Sequence, residues 1–78
     1  MNEAQIRQLA AEVLAGIAPE AELSRVPDTK DLREALDLDS MDFMNFVIGL
    51  AERTGLKIPE ADTGRLVTMQ GLLAYLVR

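Results

Sequence analysis

The chain has 78 residues, of which 49% are hydrophobic, and a formal net charge of −5 at pH 7. This size allows one small domain, with little room for an enclosed catalytic constellation. The chain contains no cysteine and no histidine, which excludes disulfides, zinc sites built from those residues, and catalysis by histidine or cysteine. The negative charge argues against nucleic-acid binding, because that function needs basic groups to neutralise phosphates.

The sequence carries no pattern typical of export or of membrane insertion. Residues 1–18 lack an unbroken apolar core of the length that a secretory signal needs. No stretch approaches the roughly 20 apolar residues of a membrane span. We therefore predict a cytoplasmic protein of one domain, residues 1–78, which is expected to be a monomer. The opening Met1 and the closing Arg78 suggest a free-standing protein, although an excised module with an added Met would look the same.

The first predicted element is an amphipathic helix over residues 2–18. Asn2 is a good N-cap, and Gln5 follows three residues later as its capping-box partner. Pro19 is expected to end the helix. Apolar residues recur at helical spacing along it, namely Ile6, Leu9, Ala10, Val13 and Ile17.

A connection of about 20 residues follows, which is unusually long for a compact domain and is often functional. We expect residues 31–36 to form a short helical turn and four apolar residues to hold the connection on the core: Leu23, Val26, Leu32 and Leu36. From Asp28 to Asp42 there are six acids against Lys30 and Arg33, so this stretch holds −4 of the net charge. It is either a solvated acidic loop or a surface that steers basic partners.

The second main helix is predicted over residues 40–54. Asp39 is the expected N-cap, Asp42 lies in the favourable first turn, and Gly55 ends the helix. Residues 60–66 after Pro59 form a short third helix, and Thr68 caps a last helix that runs from Met69 to Val77. No period-two alternation competes, so the predicted fold class is all-α: a four-helix bundle of three main helices and one short one, with a long loop between the first two.

The second main helix carries two apolar stripes. With 100° per residue from Ser40, an ordinary core stripe between about 240° and 340° contains Phe43, Phe46, Val47, Leu50 and Thr54. A second stripe between about 20° and 100° contains Met41, Met44, Ile48 and Ala51. Together the stripes are wider than the apolar face of a surface helix. The second stripe is either additional core or an exposed docking face, for which the adaptable Met side chain is suited.

Ser40 lies between the two stripes at the predicted helix N-terminus. Free backbone N–H groups and the positive end of the helix dipole favour a phosphate at such a position. By itself this pattern does not select a modified serine, because a Ser in the first turn of a helix more often only caps it.

The segment DLDSMDF, Asp37 to Phe43, resembles the phosphopantetheine attachment motif of acyl carrier proteins, in which an Asp-Ser pair precedes a large aliphatic residue. The resemblance continues through AERTGLKIPEAD, Ala51 to Asp62, and through LVTMQGLLAYL, Leu66 to Leu76. It covers nearly the whole chain in the right order. The resemblance implies that Ser40 carries a covalent 4′-phosphopantetheine arm, taken from coenzyme A by a phosphopantetheinyl transferase.

The resemblance also implies how such a carrier would work. The thiol of the arm would hold an acyl group of fatty acid or polyketide type as a thioester, and acyl-transferring or acyl-activating enzymes would act on it, so the chain itself would not be an enzyme. Asp39, Met41 and Asp42 would be recognised by the transferase. Partner enzymes would dock on Met41, Met44, Ile48 and Glu52. A small acyl pocket would be lined by Phe46, Val47, Leu50, Leu66 and Leu72.

The sequence departs from the carriers of fatty acid synthesis at several positions. Asp37 replaces a glycine that is often found before the motif, and Gly49 weakens the helix by about 1 kcal/mol relative to Ala with no evident local gain. The acidic face is also thin, because neutral or basic residues stand where acids are common, namely Asn45, Ala51 and Arg53. These departures leave two alternatives open: a carrier of a specialised pathway and a carrier of housekeeping fatty acid synthesis.

Other functions remain open from the sequence. An aminoacyl or peptidyl carrier would share the fold and the modified serine, and a helical interaction module without a cofactor would explain the broad apolar face. A hydrolase that uses Ser40 as its nucleophile lacks a histidine base, and no motif places Lys30 or Lys57 near that serine. A calcium loop is disfavoured, because Asp37, Asp39 and Asp42 break the ligand spacing that such a loop requires.

Overall fold

The computed structural model describes residues 1–77, which fold into helices joined by ordered connections. The α-helices are α1 (Glu3–Ala15), α2 (Leu32–Ala35), α3 (Ser40–Thr54) and α4 (Met69–Leu76). Two 3₁₀ segments, Leu23–Arg25 and Glu60–Leu66, lie in the connections. Within the described range the only β-type pairing is an isolated bridge between Asp31 and Thr68. The predicted all-α class, with three main helices, one short one and a long first connection, is confirmed.

The first helix begins where the sequence predicts and ends earlier. Asn2 Oδ1 accepts a hydrogen bond from Gln5 N at 2.8 Å, and Gln5 Oε1 accepts one from Asn2 N at 2.9 Å. This is the expected capping box. The helix ends at Ala15 and not at residue 18, because Gly16 is a poor helix former and Pro19 disfavours helical geometry at Ala18. Residues 16–17 continue only as a turn.

The connection between α1 and α3 is held at several points. Leu23 and Leu32 are buried in the core, as the sequence predicts, while Val26 and Leu36 are half-buried. Leu32 N donates to Val67 O at 2.7 Å, and Gln70 N donates to Asp28 O at 2.9 Å. These backbone hydrogen bonds tie the connection to the beginning of α4, so a long loop becomes part of the packed structure.

The helix α3 has the bounds that local sequence predicts. Asp39 caps it from an extended backbone conformation, and Gly55 follows it with φ of 73°, in the left-handed region that glycine adopts without strain. Near its C-terminus, Thr54 Oγ1 donates to Leu50 O at 2.7 Å. The first residue of α3 is therefore held by a cap, and its last turn is closed by a glycine.

The segment Glu60–Leu66 is a seven-residue 3₁₀ helix rather than an α-helix, which is long for this geometry. It packs closely on α4: a Cβ on Gly71 would lie 2.2 Å from the carbonyl oxygen of Arg65. Thr68 caps α4 by accepting from Gly71 N at 3.0 Å, as predicted. The helix ends at Leu76, one residue before the predicted end, with Val77 as its C-cap.

The core takes side chains from every α-helix. The largest fully buried side chains are Ile6, Leu14, Leu32, Phe46, Leu50, Leu66, Leu72 and Leu76. Leu73 of α4 is only half-buried against this core. No helix among residues 1–77 is long and apolar enough to cross a membrane.

Candidate functional site

Ser40 is the first residue of α3, and its side chain is exposed. Asp39 Oδ1 accepts a hydrogen bond from Asp42 N at 2.8 Å, and Asp42 Oδ2 accepts one from Asp39 N at 3.3 Å. This second capping box fixes the backbone on both sides of the serine without using its hydroxyl. The Ser40 hydroxyl has no hydrogen-bond partner among residues 1–77, so it is free to react or to carry a group.

The other hydroxyl groups of the described chain lie in different surroundings. Four of them take part in intramolecular hydrogen bonds, those of Thr54, Thr63, Thr68 and Tyr75. Ser24 and Thr29 are exposed and unpartnered within residues 1–77, but Ser24 lies in a three-residue 3₁₀ segment and Thr29 in a turn. Ser40 is thus the free hydroxyl of that range that also stands at the N-terminus of a long α-helix.

The first turn of α3 suits a phosphate ester. The N–H groups of Ser40 and Met41 have no acceptor within the helix, because the first turn of an α-helix lacks preceding carbonyls. These groups and the helix dipole place partial positive charge beside the serine. The residues at this position therefore fit a phosphodiester on Ser40.

The acidic stretch before and after Ser40 is neutralised only in its first part. The Arg7 guanidinium binds Asp28 through two hydrogen bonds of 3.2 and 2.7 Å, which lower the pKa of that carboxyl. Arg33 binds Asp31 at 3.1 and 2.7 Å and lowers its pKa to about 2. Closer to the serine, four carboxylates have no ion-pair partner among the described residues: Glu34, Asp37, Asp39 and Asp42. Negative side-chain charge therefore surrounds Ser40, while the backbone N–H groups of the first turn contribute partial positive charge at the serine itself.

The turn between α2 and α3 contains a strained residue. Asp37 has φ of 54°, in the left-handed region, and is the one non-glycine residue of the described range with a positive φ. A glycine would adopt this conformation without the cost of about 1 kcal/mol that such positions carry. The backbone thus explains why a glycine is common here in the family that the sequence resembles.

The two apolar stripes of α3 have different environments. On the second stripe, Met41 is 69% exposed, Met44 40% and Ile48 50%, while Ala51 is half-buried. The core stripe is buried at Phe43, Phe46, Val47 and Leu50. The second stripe is therefore not additional core, and three large apolar side chains of one helix face solvent together with Glu52.

A cleft of about 460 Å³ lies beside the exposed stripe. On one side it is lined by α3, and on the other by Ile58, Glu60 and Thr63, with Glu52 completing the wall. The α3 residues that line it are Met44, Val47, Ile48 and Ala51. Sequence reasoning missed Ile58 and Thr63, although the extended Ile58-Pro59 step could have suggested that this segment runs past α3.

The residues predicted to line an acyl pocket occupy two places. Val47 lines the cleft. The other four belong to the closed core and have almost no solvent exposure: Phe46, Leu50, Leu66 and Leu72. They belong to the same core cluster as Val47, and their part in binding an acyl chain stays a prediction.

The fold is a small helical bundle, and the first turn of α3 presents a free serine hydroxyl where a phosphate ester would fit. Residues 4–76 match the family model described as the phosphopantetheine attachment site, and the chain belongs to that family. Members carry a covalently attached 4′-phosphopantetheine group. The resemblance seen in the sequence is thereby confirmed, and the chain is an acyl carrier protein by family.

Relatives and a solved structure agree with this assignment. The chain is 33% identical over 61 residues to the acyl carrier protein of Renibacterium salmoninarum, covering 78% of this chain and 70% of that protein. It is 28% identical to the polyketide-8 synthase acyl carrier protein 2 of Streptomyces avermitilis, with 91% of this chain and 76% of that protein covered. The structure of the acyl carrier protein from Enterococcus faecalis matches with a TM-score of 0.79 and 25% identity, covering 99% of this chain and 96% of that one.

Proposed function

We propose that Ser40 is the residue that carries the phosphopantetheine arm and that acyl groups travel on it as thioesters. The observation that carries this proposal is the position of the free Ser40 hydroxyl at the capped N-terminus of α3. Ser24, the other serine of the chain, lies in a short 3₁₀ segment without these features. The chain acts as a carrier and not as an enzyme, because the chemistry on the cargo belongs to partners.

Loading requires a transferase and coenzyme A. Ser40 Oγ forms a new bond to the phosphorus of the phosphopantetheine half, the pyrophosphate bond of coenzyme A breaks, and the nucleotide half leaves while the hydroxyl proton passes to a base of the transferase. When attached, the arm supplies a thiol that holds acyl groups as thioesters. The role of α3 is to keep Ser40 exposed beside the free N–H groups of its first turn, which would favour a phosphate on this serine.

We infer that the transferase recognises Asp39, Met41 and Asp42, which surround the serine. Asp39 and Asp42 hold each other in the capping box and have no cationic partner among the described residues. They are therefore available to basic groups of an incoming enzyme, with an effect that salt weakens. Met41 adds a large exposed apolar surface next to the reacting oxygen.

Partner enzymes dock on the exposed stripe of Met41, Met44 and Ile48, with Glu52 at its edge. A partner that covers these three side chains removes their apolar surface from water, which stabilises the complex by about 25 cal/mol for each Å² buried. This supports docking that is mainly apolar. The cargo is an acyl chain of fatty acid or polyketide type, which the Leu- and Met-rich face favours over an aminoacyl or peptidyl cargo. The tether raises the effective concentration of that cargo at a docked partner.

A short acyl chain is proposed to enter through the cleft between α3 and the 60–66 segment. Val47 already forms part of the wall, and four further residues share its core cluster: Phe46, Leu50, Leu66 and Leu72. The 60–66 segment is held mainly to α4, because Tyr75 donates to Asp62 Oδ2 at 2.7 Å and Arg65 lies 5.0 Å over the Tyr75 ring. Movement of this unit away from α3 would widen the cleft towards those residues.

The test is intact-mass spectrometry after incubation with a phosphopantetheinyl transferase and coenzyme A. The wild type and Ser24→Ala are expected to gain one arm each, and Ser40→Ala none, while circular dichroism shows all three folded. No gain by the wild type with several competent transferases would overturn the carrier assignment. A gain that persists in Ser40→Ala would move the attachment to another residue.

A further inference from the structure

The four methionines of the chain lie in two kinds of environment. Met41 is 69% exposed and Met44 40% exposed on α3, and Met1 at the chain start is 44% exposed. Met69, at the start of α4, is only 2% exposed and belongs to the core. Solvent and small oxidants therefore reach the thioether of Met41 freely and that of Met69 hardly at all. Met41 also directly follows the serine of the proposed attachment site.

We propose that Met41, with Met44 beside it, is a reversible oxidation site through which peroxides control access of partner enzymes to Ser40. A sulfur lone pair attacks one oxygen of hydrogen peroxide, the S–O bond forms, and the O–O bond breaks. The second oxygen leaves as water after taking up the protons. The thioether is oxidised to the sulfoxide and the peroxide is reduced. This inference rests on the proposed function, because the surface concerned is the one on which the transferase and later partners act.

Oxidation is expected to weaken docking because the sulfoxide is more polar than the thioether. A methionine sulfoxide is polar and takes hydrogen bonds from water, and a partner that covers it has to remove that water. The exposed stripe offers few groups to replace those hydrogen bonds, because its other large side chain is Ile48. Docking on the oxidised stripe is therefore weakened.

The consequence for the fold is expected to be small. A sulfoxide on Met41 stays hydrated in the free protein, since its side chain already faces solvent. Met69 is shielded by its burial, and oxidation there would disrupt the core. The separation of exposed and buried methionines thus lets oxidation act on docking while the folded state is preserved.

The chemical part is tested on the protein without its arm, so that no arm thiol competes for the oxidant. The protein is treated with hydrogen peroxide, the excess is removed with catalase, and peptide mass spectrometry follows each methionine over time. Met41 is expected to be oxidised at least about tenfold faster than Met69, in line with their difference in exposure. The thermal midpoint of the sample oxidised at Met41 and Met44 is expected to match that of the untreated protein. Equal oxidation rates at Met41 and Met69 would overturn the inference.

The functional part measures kcat/KM of a phosphopantetheinyl transferase with coenzyme A for the treated and the untreated protein. Oxidation is expected to lower this value about tenfold, equivalent to about 1.4 kcal/mol, and methionine sulfoxide reductases are expected to restore it. Two variants are each compared with their own untreated value. The double variant Met41→Leu/Met44→Leu, which cannot form these sulfoxides, is expected to change less than about twofold on treatment. Met69→Leu should lose as much as the wild type.

These measurements distinguish a failure of the oxidation proposal from a failure of the proposed carrier function. An untreated wild type that gains no arm would refute the proposed function, and the inference would fall with it. Normal loading of both untreated and oxidised protein would leave the proposed function standing and overturn the inference alone. A loss on treatment that persists in the double Leu variant, or that the reductases do not reverse, would likewise overturn it.

Discussion

The two apolar stripes of α3 are built from similar residues and have opposite environments. Phe46 on one stripe is 1% exposed, whereas Met41 on the other is 69% exposed. Both stripes follow the same helical period, so their hydrophobicity does not distinguish them. The difference arises because α1, α2 and α4 supply buried side chains to one core cluster with the first stripe, whereas the second stripe is left in solvent. The buried stripe stabilises the fold, and the exposed stripe is available for binding.

A third side of α3, which carries Gly49 and Arg53, faces α1. Gly49 lies so close to α1 that an added Cβ would be 2.5 Å from Val13 Cγ1. The expectation that Gly49 brings no local gain is therefore wrong: the glycine allows the two helices to approach. One turn further on, Arg53 pairs with Glu12 of α1. The helix is thus packed on two sides and exposed on one.

The largest expected effect is on the free energy of unfolding, which substitutions on the buried stripe should lower far more than substitutions on the exposed stripe. Phe46→Ala should lower the free energy of unfolding by about 3 to 5 kcal/mol, because it removes a buried ring and leaves a cavity. This is comparable to the whole stability of a domain of this size, so the milder Phe46→Leu, with a loss of about 1 kcal/mol, is measured beside it. Ile48→Ala on the exposed stripe should stay within about 0.5 kcal/mol of the wild type. Urea denaturation measures all three, and similar losses for Phe46→Leu and Ile48→Ala would contradict the division into a buried and an exposed stripe.

An intermediate effect is expected where α3 meets α1. Gly49→Ala gains about 1 kcal/mol of helix propensity but forces a methyl group into Val13, at a cost of about 1 to 3 kcal/mol. We expect a net loss of about 1 kcal/mol in the wild-type background. In a Val13→Ala background the obstruction is gone, and the same substitution should stabilise by up to about 1 kcal/mol. Denaturation of the wild type, the two single variants and the double variant gives the free energies of a double-mutant cycle. An effect of Gly49→Ala with the same sign in both backgrounds would rule out the close contact between Gly49 and Val13.

The smallest expected effect is the loss of stability in acid, which comes from ion pairs. Among residues 1–77, none of these pairs includes a residue of the exposed stripe. Hydrogen bonds from Arg33 and Arg7 lower the pKa of Asp31, from 3.8 to about 2, and that of Asp28. Hydrogen bonds from Gln8 and Arg53 lower the pKa of Glu12 below 4.5. Because the unfolded chain takes up these protons first, this stabilisation is present above pH 4.5 and is lost as pH falls towards about 2.

The measurement is the thermal midpoint as a function of pH. Asp28→Asn should lower the midpoint at pH 7 and flatten its decline in acid, because one of the linked carboxyls is gone. Glu20→Gln is the matched control, since Glu20 is exposed and has no ion-pair partner among residues 1–77. A decline of unchanged steepness in Asp28→Asn would show that the pair with Arg7 does not form in solution.

Elements governed by neighbouring residues were predictable from the sequence. Asp39 and Gly55 mark the bounds of α3, and Asn2 with Gln5 marks the start of α1, because caps act within one turn of the helix. The end of α1 was predicted wrongly, since apolar spacing continues to Ile17 while Gly16 already ends the helix. The 60–66 segment was placed correctly but forms a 3₁₀ helix, and its close contact with Gly71 of α4 lies beyond its own residues.

Some features of the candidate site were likewise predictable from neighbouring residues, and others depend on how the helices pack. Residues near each end were enough to predict α3, its two caps and the serine at its N-terminus, because a cap acts within one turn of the helix end that it closes. Three other properties could be seen only in the folded protein: the exposure of the stripe with Met41, the access of Val47 to a cleft, and the pairing of Arg7 with Asp28 from a distant helix. Those properties depend on which helices pack against α3 and which do not, and side chains far apart in the chain make that choice.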